Sequence, residues 1–143
     1  MRYSSCVMSV CVVMAVAAGV AAQKPVMTEQ QFQAAMKETP AALSGLKKNL
    51  DAQMGPEAAK DAEKLVTIFK DVEAFWVARK NTDAAQMAKD SWTAAEAAGK
   101  AASAKDFAAA TTAHGTVGGL CRKCHTAYRE GTPETGFKIK SGE

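Results

Sequence analysis

The chain has 143 residues, room for one domain around a single core and too few to expect two. Lys and Arg number 18 against 15 Asp and Glu, a net charge of +3, so neither a basic nucleic-acid face nor an acidic tail stands out and no nucleic-acid partner is expected. Alanine is abundant and β-branched residues are scarce beyond the first twenty or so positions, a bias that excludes a sheet-dominated fold and points to an all-α domain.

Residues 1–22 read as a secretory signal. Met1-Arg2-Tyr3-Ser4-Ser5 leads into an apolar run from Cys6 to Val20, and Val20-Ala21-Ala22 offers the small residues that a signal peptidase reads, which places cleavage before Gln23. The run is shorter than the roughly 20 residues that span a bilayer. The mature protein is therefore expected to be periplasmic or otherwise exported, with no membrane span left after cleavage. Cys6 and Cys11 leave with the signal, so Cys121 and Cys124 are the two cysteines that remain.

From Thr28 onward, Phe32, Met36, Thr39, Leu43, Leu46 and Leu50 recur at steps of four and three, the spacing of one helix face. Pro40 falls inside this stretch. It either deprives the Met36 carbonyl of its donor or restarts the helix with Thr39 as cap, and in both cases the backbone beside Met36 is expected to be irregular. Gly55-Pro56 opens a second helix with the stripe Ala58, Ala62, Leu65, Phe69, Val72 and Trp76, while Lys60, Asp61, Lys64, Lys70, Asp71 and Glu73 take the other faces. Asn81-Thr82-Asp83 caps a third helix from about Ala84 to Gly99, with Ala84, Ala88, Trp92 and Ala95 on one face. The fourth runs from about Ser103 to Arg129 and carries Phe107, Ala110, His114, Val117, Cys121, Cys124 and Tyr128 on its stripe.

Four amphipathic helices with short connections bury their stripes most simply as an antiparallel up-down-up-down four-helix bundle, here over residues 23–130. Residues 131–143 form a C-terminal tail that reads as a loop. Phe69, Phe75, Trp76 and Trp92 read as core aromatics. Alanine-rich stripes leave the bundle centre underfilled, which suits completion by a large apolar cofactor.

Cys121-Arg122-Lys123-Cys124-His125 is the Cys-x-x-Cys-His pattern of c-type haem attachment. At 100° per residue the two thiols and the imidazole fall within roughly a 100° arc of one helix, so the thiols can reach two haem vinyl groups while His125 rises beneath the iron. Other uses of the pattern lack a part. A thioredoxin-like dithiol wants a βαβ context, and no strand candidate is present; a zinc site needs a fourth ligand; a disulfide between Cys121 and Cys124 has poor geometry within a helix. Beyond this motif no nucleophile, base and acid form a recognisable set, so no enzyme is expected.

The motif lies near the end of the last of four helices and continues through Tyr128 and Arg129; with Phe69, Phe75-Trp76 and Trp92 upstream, the chain resembles the class II cytochromes c. The resemblance implies one covalent haem c. It also implies a choice at the sixth iron position, between an open site that binds nitric oxide or carbon monoxide and a methionine from the first helix that makes an electron carrier. Ala35-Met36-Lys37-Glu38 looks like the methionine-bearing first helix, and Phe32 stands where open-site relatives commonly carry arginine. The expected protein is a low-spin His125/Met36 cytochrome that exchanges electrons with redox partner proteins. A five-coordinate gas binder is the alternative, and a redox or zinc-binding helical module a distant third. Relatives often pair as dimers through their first two helices, so a homodimer is a further expectation.

Met27, Met54 and Met87 are the other methionines to weigh as ligands. His114 sits roughly 16 Å along the helix axis from His125. It therefore reads as a half-buried histidine bonded to backbone or solvent rather than as the opposite ligand. Arg129, one turn after His125, either pairs with a haem propionate or stays solvated, and Arg122 and Lys123 could offer a positive rim to a partner.

Overall fold

The computed structural model describes residues 24–140; the signal reading of residues 1–22 lies outside them. Helix α1 covers Glu29–Asp51, α2 Gly55–Ala78, α3 Thr82–Ser103 and α4 Phe107–Tyr128. Consecutive helices pack side by side and α1 closes against α4, an up-down four-helix bundle. The starts are capped by side chains. Thr28 and Gln31 form a reciprocal capping box, Asn81 accepts from the Ala84 amide, and Asp106 accepts from the Ala109 amide. The α2 start has no such side chain and uses Pro56 in its first turn instead.

The first three helices end alike. Gln53, Lys80 and Lys105 each adopt a left-handed conformation, and the next amide returns to a carbonyl five residues back, as Met54 does to Asn49, Asn81 to Trp76 and Asp106 to Ala101. The short links therefore reverse the chain without a glycine at the left-handed position.

The stripe of α2 is buried at every position from Ala58 to Trp76. Leu46, Leu65, Trp76 and Val117 are the largest fully enclosed side chains, each contributing about 1.5–3 kcal/mol or more of apolar burial. Helix α3 differs from the expected stripe: Ser91 is buried, with its hydroxyl donated to the Met87 carbonyl, whereas Trp92 is only half-buried. Trp92 packs at the margin of the core, where its Nε1 donates to the Glu73 carboxylate at 2.6 Å and Lys70 lies over its ring. Asp61 departs in the opposite sense. It is buried, and Asn49 and Lys64 satisfy its carboxylate.

Two backbone expectations are corrected. The first helix runs unbroken through Pro40, and Thr39, which was to cap a restart, is a buried interior residue whose hydroxyl donates back to the Ala35 carbonyl. The tail expected as a loop from residue 131 contributes instead to a hairpin: β1 (Arg129–Thr132) and β2 (Gly136–Ile139) pair antiparallel, Glu130 opposite Lys138 and Gly131 opposite Phe137. Gly131 (φ 96°) permits this tight hairpin, since a Cβ there would sit on the Gly136 carbonyl oxygen. Among the described residues no helix is long and apolar enough to cross a membrane.

Candidate functional site

Where α1 and α4 face each other the bundle is open, and a cavity of about 530 Å³ lies between them, within the roughly 300–1,000 Å³ usual for small-molecule sites. Met36 and Leu43 enter it from α1, Phe69 and Trp76 from α2, and Cys121, Cys124 and His125 from α4. The motif residues therefore share one apolar chamber with the methionine singled out on the opposite helix.

The register of the two helices follows from one contact. His114 Nε2 donates to the Leu43 carbonyl at 3.1 Å, the backbone-bonded role expected of this histidine. Counting outward from that pair along antiparallel helices brings Cys121 level with Met36 and His125 level with Phe32. His125 and Met36 are thus offset by about 6 Å along the axis, at 1.5 Å per residue. Helical side chains lean toward their own N-terminus, so on antiparallel helices the imidazole and the thioether lean toward one another and close that offset.

Burial tunes the three motif groups. It raises the Cys121 thiol and pushes Cys124 up to about 11, the neighbouring Cys121 adding to the second shift, so both thiols are protonated at neutral pH. It lowers His125, assisted by the positive charge of Arg129, and keeps the imidazole in the neutral form that binds metals. Cys121 and Cys124 are free thiols. Among the described residues no group of three or more His, Cys, Asp or Glu gathers as an ion-binding cluster.

The other methionines separate clearly. Met54 is exposed at the α1–α2 link, and Met27 packs against the core outside the cavity. Met87, which lay off the α3 stripe, reaches the cavity wall. Phe32 stacks on Phe75 with centroids 4.5 Å apart and meets Trp76 edge-on at 5.7 Å, walling the cavity with carbon where an arginine would bring charge.

The hairpin supplies a wall that was not anticipated. Phe137 and Ile139 line the cavity, Ile139 packs on the core, and Lys140 ties the returning strand to α4 through its amide to the Tyr128 carbonyl and its Nζ to the Thr126 carbonyl. Arg129 stays exposed, its guanidinium 4.2 Å from the Phe137 ring centre. The period-two pair Phe137 and Ile139, framed by Gly131 and Gly136, is the sequence signal that marks these strands.

The cavity suits a large planar apolar group anchored from α4: two thiols and an imidazole project from one helix, the walls are mostly carbon, and the fully buried Trp76 carries an indole Nε1 with no hydrogen-bond partner. Searches of protein-family models, curated proteins and solved structures find no match to this chain.

Proposed function

We propose that this chain is an exported c-type cytochrome similar to the class II cytochromes c, holding one haem in the α1–α4 cavity and transferring electrons to and from redox partner proteins. The observation that carries the reading is the meeting of Cys121, Cys124 and His125 with Met36 in one apolar chamber. Haem supplies a one-electron iron couple whose potential is set by axial ligands and burial.

The chain's own residues have distinct tasks in this reading. Cys121 and Cys124 fix the macrocycle as thioethers. His125 presents a neutral imidazole, and Met36 offers a soft thioether from across the cavity, a pairing that raises the potential and leaves no open iron position. Helix α1 is tied to α4 by His114, so Met36 is held in place in both oxidation states, which keeps reorganisation small. Phe32, Phe69 and Trp76 exclude water.

The test is the spectrum of the purified protein beside Met36→Ala and Met87→Ala. The unmutated protein and Met87→Ala should be low-spin, with a weak sulfur-to-iron band at the red end and slow carbon monoxide uptake; Met36→Ala should lose all three features. An unmutated protein that is already high-spin and binds carbon monoxide readily makes the cavity a gas site instead.

A further inference from the structure

The charges of this chain are unevenly placed. From Gln23 to Leu120 there are twelve Lys and Arg and twelve Asp and Glu, a balanced surface, and several of these are paired, as in Lys47–Asp51, Lys100–Glu96 and Arg79–Glu29. From Cys121 to Lys140 there are five cations, Arg122, Lys123, Arg129, Lys138 and Lys140, against Glu130 and Glu134. Arg2 in the signal and Glu143 at the end offset each other, so the whole positive excess resides in twenty residues that carry the motif and the hairpin.

We propose that this end of the molecule, the last turn of α4 with the hairpin, is the face that docks an acidic redox protein; the proposal rests on the haem reading above. Three features converge there. The hairpin is one wall of the cavity, so its outer side is a short cover between the cavity and solvent. Phe137 is 43% exposed, a large apolar side chain left open on the hairpin, and Arg129 lies against its ring. An exposed aromatic with arginine beside it and a charged rim is the chemistry of a protein interface centre. Arg122 and Lys123 are exposed on the last two turns of α4, and Lys138 is exposed on the hairpin with its Nζ 3.5 Å from the Glu130 carboxylate. An anionic membrane would call for a denser basic cluster or a broader apolar face than one phenylalanine provides.

The experiment uses the ferrous holoprotein and two small oxidants of opposite charge, hexacyanoferrate(III) and tris(phenanthroline)cobalt(III), across a range of ionic strength. Oxidation by the anion should slow as salt rises, and oxidation by the cation should not. Lys123→Gln/Lys138→Gln should lose about threefold to tenfold of the anion rate at low salt, the scale of electrostatic steering. Arg122→Gln/Lys123→Gln, which leaves the hairpin untouched, should lose a similar factor. Lys47→Gln/Lys48→Gln, with the same change in net charge at the opposite end of the bundle, should lose almost none. A titration with poly-L-glutamate should shift NMR signals around Arg122, Lys123 and Arg129–Lys138. An equal loss in the Lys47/Lys48 variant, a rate indifferent to salt, or tight binding to phosphatidylglycerol vesicles with no polyglutamate footprint overturns the docking face. A protein with no oxidisable haem overturns the haem reading itself, so the two failures are distinct.

Discussion

Replacing His114 by alanine tests how the cavity is held at its width. Beside the apolar packing of α1 on α4, the two walls are joined by the bond from His114 Nε2 to the Leu43 carbonyl. A hydrogen bond of this kind contributes about 1 kcal/mol net, and the Leu43 carbonyl also lies within an α-helix, so its loss leaves no fully orphaned acceptor. The half-buried ring gives up a further ~1 kcal/mol of packing, for a total near 2 kcal/mol. Urea unfolding of the holoprotein should show the midpoint falling at constant slope. His114→Gln, able to donate to the same carbonyl, should recover about half of the loss. Hydrogen exchange should rise on α1 between Leu43 and Leu50 more than on α2 or α3. A loss below about 0.5 kcal/mol, or a Gln variant no better than Ala, refutes the assignment of this bond as the tie between α1 and α4.

Other outcomes follow from the same geometry. Gly131→Ala forces a side chain onto the Gly136 carbonyl at φ 96°, so the hairpin should open; exchange across Arg129–Ile139 should rise and carbon monoxide uptake of the Met36→Ala background should quicken. Leu46→Ala removes a fully buried side chain far from the motif and should cost about 2–5 kcal/mol in urea while leaving the haem spectrum unchanged. In the apoprotein the raised thiol of Cys124 means that the folded state holds its proton more tightly than the unfolded chain. That stability is fully present below pH 9 and lost as pH rises toward about 11, a fall that the thioether-linked protein should not show. Alkylation of the apoprotein's thiols at pH 8 should likewise be slower than that of a free peptide cysteine.

The helices were legible because their stripes repeat at helical spacing over four to seven positions, and every stripe position of α2 from Ala58 to Trp76 is buried. The motif was legible because three reactive side chains sit within five residues. Other features depended on forces that a periodicity does not carry. Trp92 sits at the margin of the core, half-buried, with a partner on a neighbouring helix, Glu73. Asp61 entered it because Asn49, twelve residues earlier, meets it there. The helix ends at Gln53, Lys80 and Lys105 lack the glycine that usually marks a left-handed cap, so the returning amide bonds, not the residue type, hold those turns. Pro40 left open whether the helix continues or restarts, and packing of Thr39, Ala42 and Leu46 carries the helix through it. The hairpin is only four residues a side and polar but for Phe137 and Ile139, a signal overshadowed by the loop-forming Gly131, Pro133 and Gly136.

The covalent link is the most direct test of the whole account. Mature protein produced with cytochrome c maturation machinery, denatured and extracted with acid acetone, should keep its colour and show the mass of polypeptide plus one haem, and the Cys121→Ala/Cys124→Ala variant should show the polypeptide alone. Colour passing entirely into the solvent, with two titratable thiols left on a polypeptide of unmodified mass, would contradict it.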